Sequence, residues 1–397
     1  MTFLSSLLRD RWPALLPIPL AILLCLGLAL FTNDPWPADL ADSNTFFTSY
    51  ASSIKSLDPA VSYYVHEGQI LDCIVEMPLA YDYLARPYRL TPMLADAVPV
   101  PAYFDRQGRP LPGDPPAEQV GKAEYVIALK PGIRYQAHPC FAVRPDGSPR
   151  YRQIRPADLR GLTSPYQLPE AATRELRAED FKVALTRLCD PRLASPVYST
   201  LASFISGMAE CSQLIREDIL RLEEDARRDG RDVDSHPVLP DYRALPLAGI
   251  EVLDDQSFKI ILSRKYPQLT YWLAMHFFAP IPWEALVFYQ EPAVIDARLS
   301  FQNWPIGTGA YRMAVCRPED RIILERNHDF RFDPYPSQGS PEDTAAGLLA
   351  DAGRPTPFID RLYFHLNASP SLIGSNSCKA TMTTAASPMT CSTPPWP

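Results

Sequence analysis

Nucleophilic and acid/base catalysis need reactive side chains at spacings that let one group activate another. The sequence holds no G-x-S-x-G, no H-E-x-x-H, no P-loop and no dinucleotide fingerprint. His66-Glu67 lacks the second histidine four residues on that a zinc-binding helix face requires. The six histidines are scattered, so each reads as a solvated or hydrogen-bonded side chain and not as a metal ligand. Gly307-Thr308-Gly309 has the composition of a phosphate loop, but Ala310-Tyr311-Arg312 continues as a strand and offers no helix N-terminus to an anion. The expectation is a chain with no catalytic residues, no metal and no cofactor.

The elements that would carry a binding function are strands broken by isolated helices. Asn44 to Ser53 has strand character, and Ser56-Leu57-Asp58-Pro59 turns the chain. Ile70, Ile74 and Met77 predict a helix over Gln69 to Leu79. The proline-rich run Pro87 to Pro116 predicts surface loop, and Glu124 to Leu129 alternates as a strand. Arg144 to Thr173 is polar and dotted with prolines. Ala178-Glu179-Asp180 leads into a helix closed by Asp190-Pro191, and a second helix is predicted from Val197 to Met208. Glu210 to Asp234 alternates acids and bases as a solvated helix does, with Glu217 and Arg221 at i,i+4. Val252 to Leu262 reads as a hairpin, and Thr308 to Val315, Arg321 to Arg326 and Phe358 to Leu366 as neighbouring strands of one sheet. The alternation indicates an α/β fold.

Composition narrows the setting. A net charge of −8 excludes a phosphate-backbone partner, so no nucleic acid is expected. The 43 prolines against 17 glycines predict frequent interruption of regular structure. Of eight cysteines, Cys25 lies in the first apolar run and Cys378 and Cys391 in the tail. The remaining five are far apart without a C-x-x-C, which indicates neither a zinc site nor a full disulfide framework and leaves a single bridge open. Trp12 to Phe31 carries no charge, follows Arg9 and Arg11 and precedes Asp34, Asp39 and Asp42. That asymmetry predicts export, either through an uncleaved membrane anchor at residues 12–31 or through a cleaved signal. Asn367 to Pro397 holds 16 Ser, Thr or Pro among 31 residues and one charge, Lys379, which predicts disorder; its abrupt onset suggests a frame change.

Several stretches occur in an order that resembles one family. SLDPAVSYYVHEGQILDCIVEMPLAYDY (Ser56 to Tyr83) is followed by RPYRLTPMLADAV, YVIALKPGIRY, LRAEDFKVALTRLCDPRLASPV (Leu176 to Val197), PLAGIEVLDDQSFKIIL, WPIGTGAYRM (Trp304 to Met313) and RIILERNHDFRF. This order is similar to that of the bacterial extracellular solute-binding proteins of family 5, the peptide-binding components of ABC importers. The resemblance implies a periplasmic-binding-protein-like, two-lobed fold of type II with an extra domain, here with the second ligand-gripping lobe largely missing. The implied division is 1–33 anchor or signal, 34–74 and 266–366 lobe I, 75–265 extra domain and 367–397 tail. A peptide clamped as an added strand is the implied ligand, with ABC permease subunits and, through the N-terminal segment, the membrane as partners in the periplasm. On this sequence the ligand contacts would fall on Tyr63, Tyr64, Val65 and His66, and on Thr308 and Gly309. With one lobe alone, peptide binding is expected to be weak. A membrane-anchored sensory module and a periplasmic hydrolase are the other readings.

Overall fold

Two sheets, each with one apolar face, organise the chain. The computed structural model describes residue 23, residues 44–50 and residues 52–366. The expected anchor at 12–31, except Leu23, and the tail from Asn367 therefore lie outside the described residues. Contacts divide the chain into Met1–Ser43 and Asn44–Pro397, and the description concerns the second unit.

The first sheet draws strands from both ends of that unit. β1 (Thr45–Tyr50) runs parallel to β11 (Arg361–Leu366), which pairs antiparallel with β10 (Arg321–Arg326), itself antiparallel to β9 (Tyr311–Arg317). Met313, Ile322 and Leu324 alternate onto its buried face. The second sheet has the order β5-β4-β6-β8-β7 and is antiparallel throughout: β4 (Pro101–Phe104), β5 (Pro110–Leu111), β6 (Lys122–Ala128), β7 (Ile250–Asp254) and β8 (Ser257–Leu262). Ala123, Tyr125 and Ile127 of β6 and Phe258, Ile260 and Leu262 of β8 face the core. The opposite face carries a ladder in which Lys259 meets Glu251 at 2.8 Å and Glu124 at 3.4 Å. Leu79–Tyr81 (β2) and Leu90–Pro92 (β3) form a separate hairpin.

Among the helices, α1 spans Val65–Leu71, α2 Ala178–Leu188, α3 Met208–Arg228 and α4 Trp283–Tyr289. α2 begins where Asp180 reaches back to accept from Arg177 N at 3.0 Å, satisfying one of the amide donors a helix start leaves open. Its Phe181 stacks on Phe258 of β8 at 4.6 Å between ring centroids. Arg174, just before α2, donates to both Asp180 (2.6 and 2.8 Å) and Glu284 of α4 (2.7 and 2.8 Å), tying the two helices.

The hairpin at 252–262, the strands near 124–129 and 321–326, and the helix after Ala178 stand where the sequence places them, and the last three strands do share one sheet. Four expectations change. The helix predicted over Gln69 to Leu79 lies at Val65–Leu71; beyond it the carbonyls of Cys73 and Ile74 accept from Tyr311 N and Gly309 N, so the chain leaves the helix to meet another segment. Pro87 to Pro116 is not loop alone, because β3, β4 and β5 lie within it. The prolines within these strands sit at their ends, with Pro92 closing β3 and Pro101 and Pro110 opening β4 and β5, positions that tolerate the missing N–H. The helix predicted from Val197 to Met208 stops at Ala202. Ser206 N then donates to Ile261 O, and Gly207, at φ +74°, turns the chain into α3. On α3, Arg221 pairs with Asp218 and not with Glu217, which accepts from Gln213 Nε2.

Candidate ligand-binding site

The segment from Lys55 to Val65 is folded around acidic groups that use their lone pairs on the backbone. Asp58 O accepts from Val61 N and Ser62 N, and its carboxylate accepts from Ala60 N at 3.0 Å. The same carboxylate takes a two-pronged contact from Arg187 of α2, at 2.7 and 2.5 Å, with both side chains buried. Glu67, on the first turn of α1 and 1% exposed, accepts from five groups. Oε1 takes Lys55 N (2.8 Å) and Ser56 N (3.2 Å), while Oε2 takes Ser62 Oγ (3.2 Å), Tyr63 N (3.3 Å) and Tyr64 N (3.4 Å). His276 closes the other side, Nε2–H donating to Ser62 O at 3.0 Å. Its Nδ1 lies 3.9 Å from Asp72 Oδ1. Burial pushes the Asp72 carboxyl up to about 7 and the His276 imidazole down.

This framework leaves three side chains facing solvent: Tyr63 is 67% exposed, Tyr64 47% and Val65 67%. Lys55 Nζ donates to Tyr64 OH at 3.0 Å and lies 4.8 Å from the centre of its ring. His66 is half-buried, stacked on Tyr50 at 6.3 Å and tilted against Tyr64 at 5.6 Å. Four of the six residues expected to meet ligand therefore form one ledge at the start of α1.

Thr308 and Gly309 sit elsewhere. Thr308 is 1% exposed, and its hydroxyl donates to Glu76 Oε2 at 2.8 Å, on a carboxylate that Arg331 also grips at 2.7 Å through each of two nitrogens. Gly309 N donates to Ile74 O at 2.9 Å, and its carbonyl accepts from Asn327 Nδ2 at 3.0 Å. The GTG turn thus packs on the chain just after α1, a helix about 10 Å long that carries the ledge at its other end. A cavity of about 360 Å³ opens beside it, lined by Arg326, His328, Arg331 and Phe332 among others. Its two arginines are paired, Arg331 with Glu76 and Arg326 with Asp360.

The sequence pointed to the aromatic residues and missed the groups beneath them. Glu67 entered only as half of a failed zinc motif; its position three residues after Tyr64, where an acid can reach back to a helix-start amide, was the available signal. Asp58, Glu76, Arg187 and Arg331 meet across 129 and 255 residues of sequence, and no local pattern marks such pairs. Among the described residues, no group of three or more His, Cys, Asp or Glu could hold a metal ion.

Residues 173–369 match the model of the bacterial extracellular solute-binding proteins, family 5 (middle). That description is of solute-binding proteins, and the α/β architecture of the described residues agrees with the expected periplasmic-binding-protein type. The resemblance read from Asn44 onward is matched in its second part; Thr308 and Gly309 lie inside the matched span and the Tyr63–His66 ledge before it. No curated protein matches the chain. Among solved structures, the substrate-binding domain of an oligopeptide ABC transporter from Bacillus anthracis shares 13% identity over 84% of this chain and 43% of its own, with a TM-score of 0.48. Haemophilus influenzae OppA in complex with RPPGFSPFR shares 16% over 84% and 44% (TM-score 0.46), and Listeria monocytogenes OppA bound to peptide 10% over 85% and 46% (TM-score 0.47). The chain spans less than half the length of these solved chains. Among the described residues no helix is long and apolar enough to cross a membrane.

Proposed function

We propose that this chain is the solute-binding component of an ABC-type importer that takes up peptides outside the cytoplasm and hands them to permease subunits. The observation that carries the reading is the solvent-facing ledge Tyr63-Tyr64-Val65, fixed by Glu67 and by the Asp58–Arg187 pair, in a chain with a family 5 segment. Rigid aromatic side chains give large contact area at little entropic cost, and they tolerate many ligand side chains. In this reading Tyr63, Tyr64, Val65 and His66 meet the peptide. Thr308 and Gly309, being buried, serve by holding the segment that follows α1.

The proposed division has lobe I at 34–74 and 266–366 and an extra domain at 75–265. It is supported by the first sheet, built from 45–50 and 311–366, and by the second, built within 101–262. The uncharged run 12–31 would export the chain and could tether it beside its permease. The test is titration calorimetry of the folded protein with a pool of synthetic tri- to pentapeptides, with co-purification of permease subunits as the test of transport coupling. Saturable heat with a Kd of about 1 mM or tighter, near −4 kcal/mol, is expected. A folded protein giving no heat of binding up to several times that concentration overturns the peptide reading.

A further inference from the structure

We infer that Glu67 is the positioning residue of the ligand ledge: it sets where Tyr63, Tyr64 and Val65 stand without touching the ligand itself. The inference rests on the peptide-binding reading and deepens it. A buried carboxylate must be satisfied by donors, and here five point at it from two separate stretches of chain. Lys55 N and Ser56 N approach one oxygen. Ser62 Oγ, Tyr63 N and Tyr64 N approach the other. One side chain thereby closes the loop 57–61 at its base and fixes the backbone that carries the ledge.

The arrangement requires two acceptor oxygens. A glutamine has the same shape but turns one of them into a donor, so one set of N–H groups would face another N–H across a buried space whichever way the amide lies. The backbone at 55–56 or at 62–64 must then move to find water, and the ledge moves with it. His276, which holds Ser62 O from outside, restrains only one point of that loop. An aspartate keeps the charge but is shorter by one methylene, so it cannot span both sets of donors.

The test compares the wild-type protein with Glu67→Gln, Glu67→Asp and Glu284→Gln. The last removes one partner of Arg174 in the α2–α4 tie and leaves the ledge alone. Affinity for the same peptide pool and amide hydrogen exchange at Lys55, Ser56, Tyr63 and Tyr64 are the two readouts. Glu67→Gln is expected to weaken binding at least tenfold and to speed exchange at those four amides at least tenfold. Glu67→Asp is expected to fall short of rescue on both, and Glu284→Gln to lower thermal stability with affinity unchanged. Full rescue by aspartate, equal affinity of wild type and Glu67→Gln, or an equal loss in Glu284→Gln would each overturn the inference. A wild-type protein that binds no peptide removes the functional reading itself, and the exchange data then still tell whether Glu67 orders the loop. Should Glu67→Gln not fold, Glu67→Asp carries the comparison by itself.

Discussion

Replacing Gly307 by alanine drives a methyl group into backbone that has nowhere to go. A Cβ at this position would lie 2.0 Å from Ile74 O and 2.7 Å from both Ile74 C and Val75 Cα. Ordinary contact begins near 3.4 Å, so the two segments must part by more than 1 Å. The opposing atoms belong to the main chain, which cannot swing aside as a side-chain tip can. Separation stretches Gly309 N to Ile74 O (2.9 Å) and Tyr311 N to Cys73 O (3.0 Å), and it disturbs Gln136 N to Gly307 O (3.0 Å). Overpacking of this kind costs about 1–3 kcal/mol and each hydrogen bond lost about 1 kcal/mol net, so Gly307→Ala should destabilise by roughly 3–5 kcal/mol. Urea denaturation followed by circular dichroism reads the change. The matched control is Gly68→Ala inside α1, where the new Cβ meets His276 Cε1 at an ordinary 3.8 Å. There the helix should gain about 0.5–1 kcal/mol, because alanine restricts the unfolded chain more than glycine does. A loss below about 1 kcal/mol at Gly307, or equal losses at both positions, would refute the close-approach argument.

Three further outcomes are expected from buried charges. His138 accepts from Cys140 N on Nδ1 (3.0 Å) and donates from Nε2 to Tyr289 OH (3.1 Å), and burial pushes its pKa down to about 3. The unfolded chain binds that proton near pH 6.5, so stability should fall as pH drops from about 6.5 to 3, by up to about 5 kcal/mol; a flat thermal-unfolding profile over that range would contradict it. Asp72 has the opposite sign. Its folded pKa of about 7 exceeds its unfolded value, so its penalty grows as pH rises from about 4 to 7. Asp72→Asn should therefore be the more stable protein at pH 8, by up to about 4 kcal/mol, with the gap closing toward pH 4. A constant difference across pH would rule out titration of this group. Asp58→Asn leaves the Arg187 guanidinium buried without its counter-ion and should cost about 3–5 kcal/mol by chemical denaturation; a loss under about 1 kcal/mol would show that the pair does not tie α2 to the ledge.

What could be read from the sequence depended on whether the forces were local. The β7–β8 hairpin announces itself because Asp254-Asp255-Gln256 separates two short apolar runs, and α2 because an acid at its third position follows a break in periodicity. The start of α1 was misplaced by four residues. Its apolar period continues past Leu71, but the carbonyls of Cys73 and Ile74 are claimed by β9 and the GTG turn, a competition across more than two hundred residues. The break after Ala202 has a similar cause, since Ser206 leaves the helix to pair with Ile261. At the site, exposed aromatics next to a turn were visible as residue types. The carboxylates under them were not, because their donors come from loops and from α2 and become neighbours only in the folded chain. For Thr308 and Gly309 it was the resemblance that implied ligand contact, whereas their hydrogen bonds run within the protein.

The central claim is that peptide rests on the ledge at the start of α1, and mapping amide shifts by heteronuclear NMR during titration with the peptide pool tests it most directly. Saturable shifts concentrated at Lys55 to His66 are the expected result, with smaller ones along α1. Saturable binding with its largest shifts at Arg326 to Phe332, or no shifts at a peptide concentration of about 10 mM, where even a millimolar site would be filled, would contradict the account.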